Sequence, residues 1–155
     1  MYHLAVAVGD GVNQDLDLVL LEDDLSAPAA GEYHLRLSHL ASFAPGTATA
    51  DVRLQDGTAI LENVNFGDVT SFLPLPAGRY DLVITTPGGG TALIDPIAVD
   101  FAEGTIISAF ATGDDINQEL AVFALPAGEI GFFLPDRYMI YMPLIMMSAN
   151  PLESE

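Results

Sequence analysis

Apolar and polar residues alternate with a period of two along most of the chain, the spacing of strands whose successive side chains point to opposite faces. Tyr33, Leu35, Leu37 and His39 share one face of such a segment, while His34, Arg36 and Ser38 share the other. The segment is predicted as a half-buried strand. Ala48, Ala50, Val52 and Leu54 likewise alternate with Thr49, Asp51, Arg53 and Gln55. That run stops at Asp56-Gly57, the pair best suited to a two-residue type I′ hairpin turn. A partner strand is expected through Ile60, a turn from Asn65 to Gly67, and a short strand from Val69 to Leu73. Leu75-Pro76-Ala77-Gly78 reads as a proline-initiated turn, after which Tyr80, Leu82 and Ile84 alternate again. Pro87 and Gly88 to Gly90 read as a mobile hairpin loop, residues 92–101 and 105–111 as strands joined at Glu103-Gly104, and residues 119–125 as the last strand. No stretch sustains a helical period. About eight short strands separated by turn signals predict an all-β protein, an antiparallel β-sandwich.

One passage occurs twice. GDGVNQDL at 9–16 returns as GDDINQEL at 113–120, and the same offset of 104 (9 to 113) relates Ala5 to Ala109, Ala7 to Ala111 and Leu21 to Leu125. An offset of this size is a domain length, not a solenoid turn, so the chain reads as part of a tandem array. Residues 1–25 are expected to be the C-terminal hairpin of a preceding, incomplete copy, 26–32 a linker, 33–127 a complete module and 128–155 an apolar, Met-rich tail. The linker region, EDDLSAPAAG at 22–31, has the acidic and Pro/Ala character of a module boundary. A lone apolar hairpin is marginally stable and leaves unpaired edges. It is therefore expected to dock on an edge of its own sandwich or, by exchange, on that of a second chain in a strand-exchanged homodimer. The partners expected are thus a protein or neighbouring copies of the module. The tail run YMIYMPLIMM at 138–147 holds four of the five Met and is too short to cross a bilayer, which needs about 20 residues. It is expected to pack as an extended segment on the sandwich or on a partner chain, helping to cover the hairpin, with a membrane-anchor stub or a non-native or truncated end as the alternatives.

Charge narrows the partners further. Asp and Glu number 22 against four Arg and no Lys, a formal net charge of −18. Such a surface repels phosphates and anionic headgroups, which argues against nucleic acid and membrane surfaces. It suits salty surroundings, where screening over about 8 Å or less relieves self-repulsion, or it collects divalent cations. Half the residues are hydrophobic and 17% charged, so a packed body is expected. With no Cys, disulfides, thiolate chemistry and Cys-based zinc sites are excluded.

LRLSHLASFAP at 35–45, ADVRLQDG at 50–57, NVNFGDVTSFLPLPAGRYDLVI at 63–84 and AFATG at 109–113 together resemble a family of bacterial exported modules, domain of unknown function 4397, over about residues 35–125. The resemblance implies an immunoglobulin-like or transthyretin-like β-sandwich, often in tandem, on secreted or cell-surface proteins. It brings no catalytic residues. The family's Ser-Pro-Asp-Ala-Pro-like stretch after its His is reduced here to Pro45 within residues 41–48. Met1 is followed at once by strand-like sequence, so an extracellular or surface location would rest on a signal peptide outside this chain.

The repeated loops are the best candidates for chemistry. Asp10, Asn13 and Asp15, or Asp114, Asp115, Asn117 and Glu119, offer hard oxygens of the kind calcium takes in groups of about six to eight. Asp114, Asp115, Asn117 and Glu119 are the candidate calcium ligands, although their spacing is not that of a helix-flanked calcium loop. The competing reading has Gly9 and Gly113 supplying unusual backbone angles while Asp and Asn cap the turn through their own backbone. His39 falls on an apolar face and is expected to satisfy buried backbone near the Pro45 loop. His34 points the other way, His3 lies in the partial copy, and the three share no ligand spacing. Ser38 or Ser71 with His39 would need nucleophile and base on one side, which argues against a hydrolase. The Gly88 to Gly90 run has no Lys to cradle phosphate. No enzyme activity or cofactor is expected beyond the calcium hypothesis. The function expected is a non-catalytic module for surface interaction, adhesion or spacing. The alternative is a calcium- or carbohydrate-binding module acting through its acidic loops, although the absence of Trp argues against a sugar-stacking platform.

Overall fold

The computed structural model describes residues 2–42, 49–95 and 98–128; the Pro45 loop and the Met-rich tail lie outside them. The strands are β1 (Tyr2–Val8), β2 (Asp17–Asp23), β3 (Glu32–His39), β4 (Thr49–Leu54), β5 (Ala59–Asn65), β6 (Leu73–Pro76), β7 (Gly78–Tyr80), β8 (Leu82–Thr85), β9 (Ala92–Ile94), β10 (Val99–Phe101), β11 (Ile106–Thr112) and β12 (Ala121–Pro126). Two four-stranded sheets, β12-β11-β3-β6 and β5-β4-β8-β9, form the sandwich, accompanied by the two-stranded pairs β7-β10 and β1-β2. The fold is an all-β sandwich. Its pairing is antiparallel except between β3 and β11, which run parallel from His34↔Ile106 to His39↔Ala111.

Alternation places the core. Leu35 and Ala109 turn inward from the first sheet, and Val52, Ile84 and Ile94 from the second. Tyr33 of β3 stacks on Phe101 of β10 with ring centroids 4.6 Å apart, and Tyr80 of β7 meets both rings edge-on, joining the β7-β10 pair to the first sheet. Burial of side chains such as Leu35, Ile84 and Phe101 stabilises the fold by roughly 1.5–3 kcal/mol each.

Several elements differ from expectation for physical reasons. Asp56-Gly57 does not make a two-residue turn. Gly57 alone takes positive φ (90°) and its N–H donates to the Leu54 carbonyl, so residues 55–57 form a three-residue loop with a glycine bulge. Pro76 ends strand β6 instead of opening a turn, pairing with Glu32 while Pro74 pairs with His34. Proline is tolerated there because β6 is a sheet edge, where a missing N–H also discourages a further strand. The Gly88 to Gly90 loop joins β8 to β9, but it is tied down: Thr86 bonds Thr91 through both backbone and hydroxyl, and Gly88 N–H donates to Asp51.

The largest departure concerns β3. Its polar face was expected in water, yet Arg36 and Ser38 are each only 3% exposed. The end of the β1-β2 hairpin covers that face at Arg36.

Candidate functional site

The two hairpins built from the repeat share one register. Ala5 faces Leu20, Ala7 faces Leu18 and Val8 faces Asp17 in β1-β2; at the same offset Ala109 faces Ala124, Ala111 faces Val122 and Thr112 faces Ala121 in β11-β12. Their loops close alike. Asp10 Oδ1 accepts from the N–H groups of Val12, Asn13 and Gln14 while Oδ2 accepts from Asn13 Nδ2, all within 3.0 Å. Asp114 repeats the set with Ile116, Asn117, Gln118 and Asn117 Nδ2, again within 3.0 Å. The backbone N–H of Gln14, then that of Val12, hold the Asp10 carboxyl down at about 2. The Gln118 and Ile116 N–H groups hold Asp114 further below the ordinary carboxylate range.

These bonds bear on the candidate calcium ligands. Asp114 is 6% exposed, with both oxygens engaged by its own loop, and Asn117 turns its amide onto it. Asp115 takes left-handed backbone (φ 59°) and, like Glu119, faces solvent. Among the described residues no three His, Asp or Glu side chains gather to hold a metal ion. The arrangement is that of a side-chain-capped turn.

What the loops support is a face. One side of β1-β2 (Val6, Val8, Val19, Leu21) packs against Leu40, Phe110 and Leu125 on the outside of the first sheet. Val6 and Phe110, and Leu21 and Leu125, are equivalent positions of the two hairpins, so the hairpins meet back to back through the same face. The hairpin thus docks on a sheet face and not on an edge, and among the described residues its strands join no other sheet. Asn13 Nδ2 reinforces the contact by donating to the Ser42 carbonyl (3.0 Å).

Arg36 is the polar centre of this contact. Its Nε donates to Ser108 Oγ (3.1 Å), Nη1 to the Glu22 carbonyl (2.8 Å) and Nη2 to Asp23 Oδ1, while its guanidinium lies 4.6 Å from the Phe72 ring centre. Asp23 also accepts from Gly128 N–H (3.2 Å). A buried cation needs every donor satisfied, and the hairpin end supplies two of the partners. Sequence reasoning placed Arg36 on a solvated face and missed it; the available signal was an arginine in mid-strand in a chain without Lys. Asp51 was missed in the same way. It is 1% exposed and binds Asn63 N–H, Gly88 N–H and the Arg53 guanidinium, fixing the β4-β5 bulge. The Asn63 N–H, more than the Arg53 guanidinium, lowers its pKa.

The histidines do not converge on a site. His39 is buried, its Nδ1 accepting from Ala41 N–H (3.3 Å), as expected for a core histidine satisfying backbone. His34 is half-buried and His3 exposed. Between the sheets lies an apolar cavity of about 220 Å³ bordered by Val52, Ile84, Val122 and Ala124.

The family model described as Domain of unknown function (DUF4397) matches residues 42–127. No curated protein matches the sequence. Among solved structures, the C-terminal domain of AlgF from P. aeruginosa is similar at 16% identity and a TM-score of 0.47, covering 62% of this chain and 98% of that one.

Proposed function

Because the chain belongs to the family of domain of unknown function 4397, we propose that it is a non-catalytic β-sandwich module of a tandem, exported bacterial protein, serving surface interaction, adhesion and above all fixed spacing between modules. The observation that carries this reading is the back-to-back packing of two hairpins with one register, locked by Arg36. A flexible tether between modules would have no need of a buried guanidinium bonded across the junction. The acidic composition suits salty surroundings, where screening relieves self-repulsion, as at an extracellular surface. Ser38 and His39 occupy successive, oppositely directed positions of β3, which supports the absence of a hydrolytic centre.

Removing residues 1–30 tests the spacing role. Loss of the hairpin uncovers Phe110, Leu125 and Arg36, so the remaining chain is expected to melt lower and to self-associate in light scattering. Unchanged mass and stability would refute the role. Protease shaving of intact source cells tests location, release of the module being the expected result and full protection the contrary one.

A further inference from the structure

The second face of the β1-β2 hairpin is exposed and apolar. Leu16, Leu18 and Leu20 are 76%, 66% and 65% exposed, and Ala5 and Ala7 lie open beside them. Scattered exposed leucines are ordinary; a contiguous apolar face on one side of a two-stranded element is not. The equivalent positions of the other hairpin show what such a face does. Ala109 is buried in the sandwich interior, and Ala111, Leu120 and Val122 pack on the cluster of Ala50, Val52, Ile84 and Ile94 from the second sheet. Register, loop and packed face coincide between the hairpins; the cover differs over Ala5, Ala7, Leu16 and Leu18, whereas Ala124, the counterpart of Leu20, is itself exposed.

We infer that Ala5, Ala7, Leu16 and Leu18 form the core face of a second sandwich, and that its occupant is a sheet of the β5-β4-β8-β9 kind from another module of this family, carried ahead of residue 2 in the tandem protein. The inference rests on the tandem reading above. The docked hairpin is then the outer layer of one module and is continuous, through its other face, with the Arg36 junction to the next. Layers would alternate sheet, hairpin sheet, hairpin sheet, sheet across two modules. The leucines are compatible with such a core. Leu18 stands where the complete module has Val122 and Leu20 where it has Ala124; both border its 220 Å³ cavity, Ala124 from an exposed position, so larger side chains have room there.

The chain can supply its own test. A copy of residues 32–105 placed directly before Tyr2 restores the register, since residue 2 is equivalent to 106. In this chimera, binding of a hydrophobic dye to the hairpin face is expected to fall several-fold relative to the intact chain. Leu18→Glu should leave the melting temperature of the intact chain unchanged and lower that of the chimera by about 10 °C or more. Equal tolerance of Leu18→Glu in both, or a chimera that does not fold as two modules, overturns the inference. Importing the leucines into the complete module as Val122→Leu with Ala124→Leu is expected to keep the intact chain cooperative and at least as stable. A fall of about 10 °C there overturns the equivalence of the faces. If the intact chain is a dimer that Leu18→Glu dissociates, the occupant is a second copy; if deleting residues 129–155 raises dye binding, it is the tail. Either result overturns the inference. Failure of the tandem reading is separately visible as loss of hairpin protection in the intact chain.

Discussion

The β1-β2 and β11-β12 hairpins have the same pairing and the same Asp-capped loop, yet among the described residues β11-β12 has both faces covered and β1-β2 only one. Local structure therefore follows local sequence, whereas burial follows what the rest of the chain brings alongside. The comparison also separates two kinds of residue: those that shape a hairpin wherever it sits, such as Gly9 and Gly113, and those that hold it in place, such as Arg36.

The largest effects should come from the shared glycines, and they should be unequal. Gly113 has φ 100° and an added Cβ would lie 2.3 Å from the Glu119 carbonyl oxygen; Gly9 has φ 86° and the corresponding distance is 2.0 Å to the Asp15 oxygen. Gly113→Ala is expected to cost more than about 3 kcal/mol and to unfold the module, because β11 lies inside the first sheet. Gly9→Ala should loosen only the outer hairpin. Denaturant melts with hydrogen exchange distinguish the two, and equal global loss would break the distinction.

Next in size is Arg36→Met. It leaves Asp23 buried without its cation and removes the bonds to the Glu22 carbonyl and Ser108. Breaking a buried pair costs about 3–5 kcal/mol, and here the loss should appear as release of β1-β2. A uniform loss with the hairpin still protected would mean that Arg36 only fills space.

Acid should act more gently on both loops together. Asp10, Asp51 and Asp114 have carboxyls held below the ordinary value. The unfolded chain then takes up protons first, and their stabilising contribution is complete above the ordinary carboxylate pKa of about 4. It is lost as pH falls from there through about 2, the value for Asp10. Urea midpoints at pH 7, 4 and 2.5 should show this, and Asp10→Asn with Asp114→Asn should flatten the slope. Unchanged slopes would deny the caps a role.

The smallest effect is ionic. Sodium chloride is expected to raise the melting temperature by screening the −18 charge. Calcium and magnesium at equal ionic strength should act alike, since the Asp114 oxygens are already engaged. A shift with calcium alone would revive a site at Asp114, Asp115, Asn117 and Glu119.

Much of this was legible in the chain, for a physical reason. Period-two alternation reports which face of a strand is apolar, and Gly-Asp-x-x-Asn loops are closed by bonds spanning four residues, so most strands, the repeat and its loop geometry could be read locally; the strand expected from Val69 to Leu73 instead runs Leu73–Pro76, and the one expected over 92–101 is two, β9 and β10, with different partners. The rest depends on distant neighbours. Pro76 forms a strand because β6 lies at an edge, β3 and β11 pair in parallel after a long excursion, and Asp51 is buried by Asn63, Gly88 and Arg53. Arg36 looked solvated because nothing near it in sequence announces the hairpin end that covers it.

Hydrogen exchange on the intact chain tests most directly whether β1-β2 is a docked junction element. Amides of residues 2–23 should be protected to within about tenfold of those of residues 106–126, and Arg36→Met should lower protection much more in the first set than in the second. Rapid exchange throughout residues 2–23 beside a fully protected β11-β12 would contradict the docked junction.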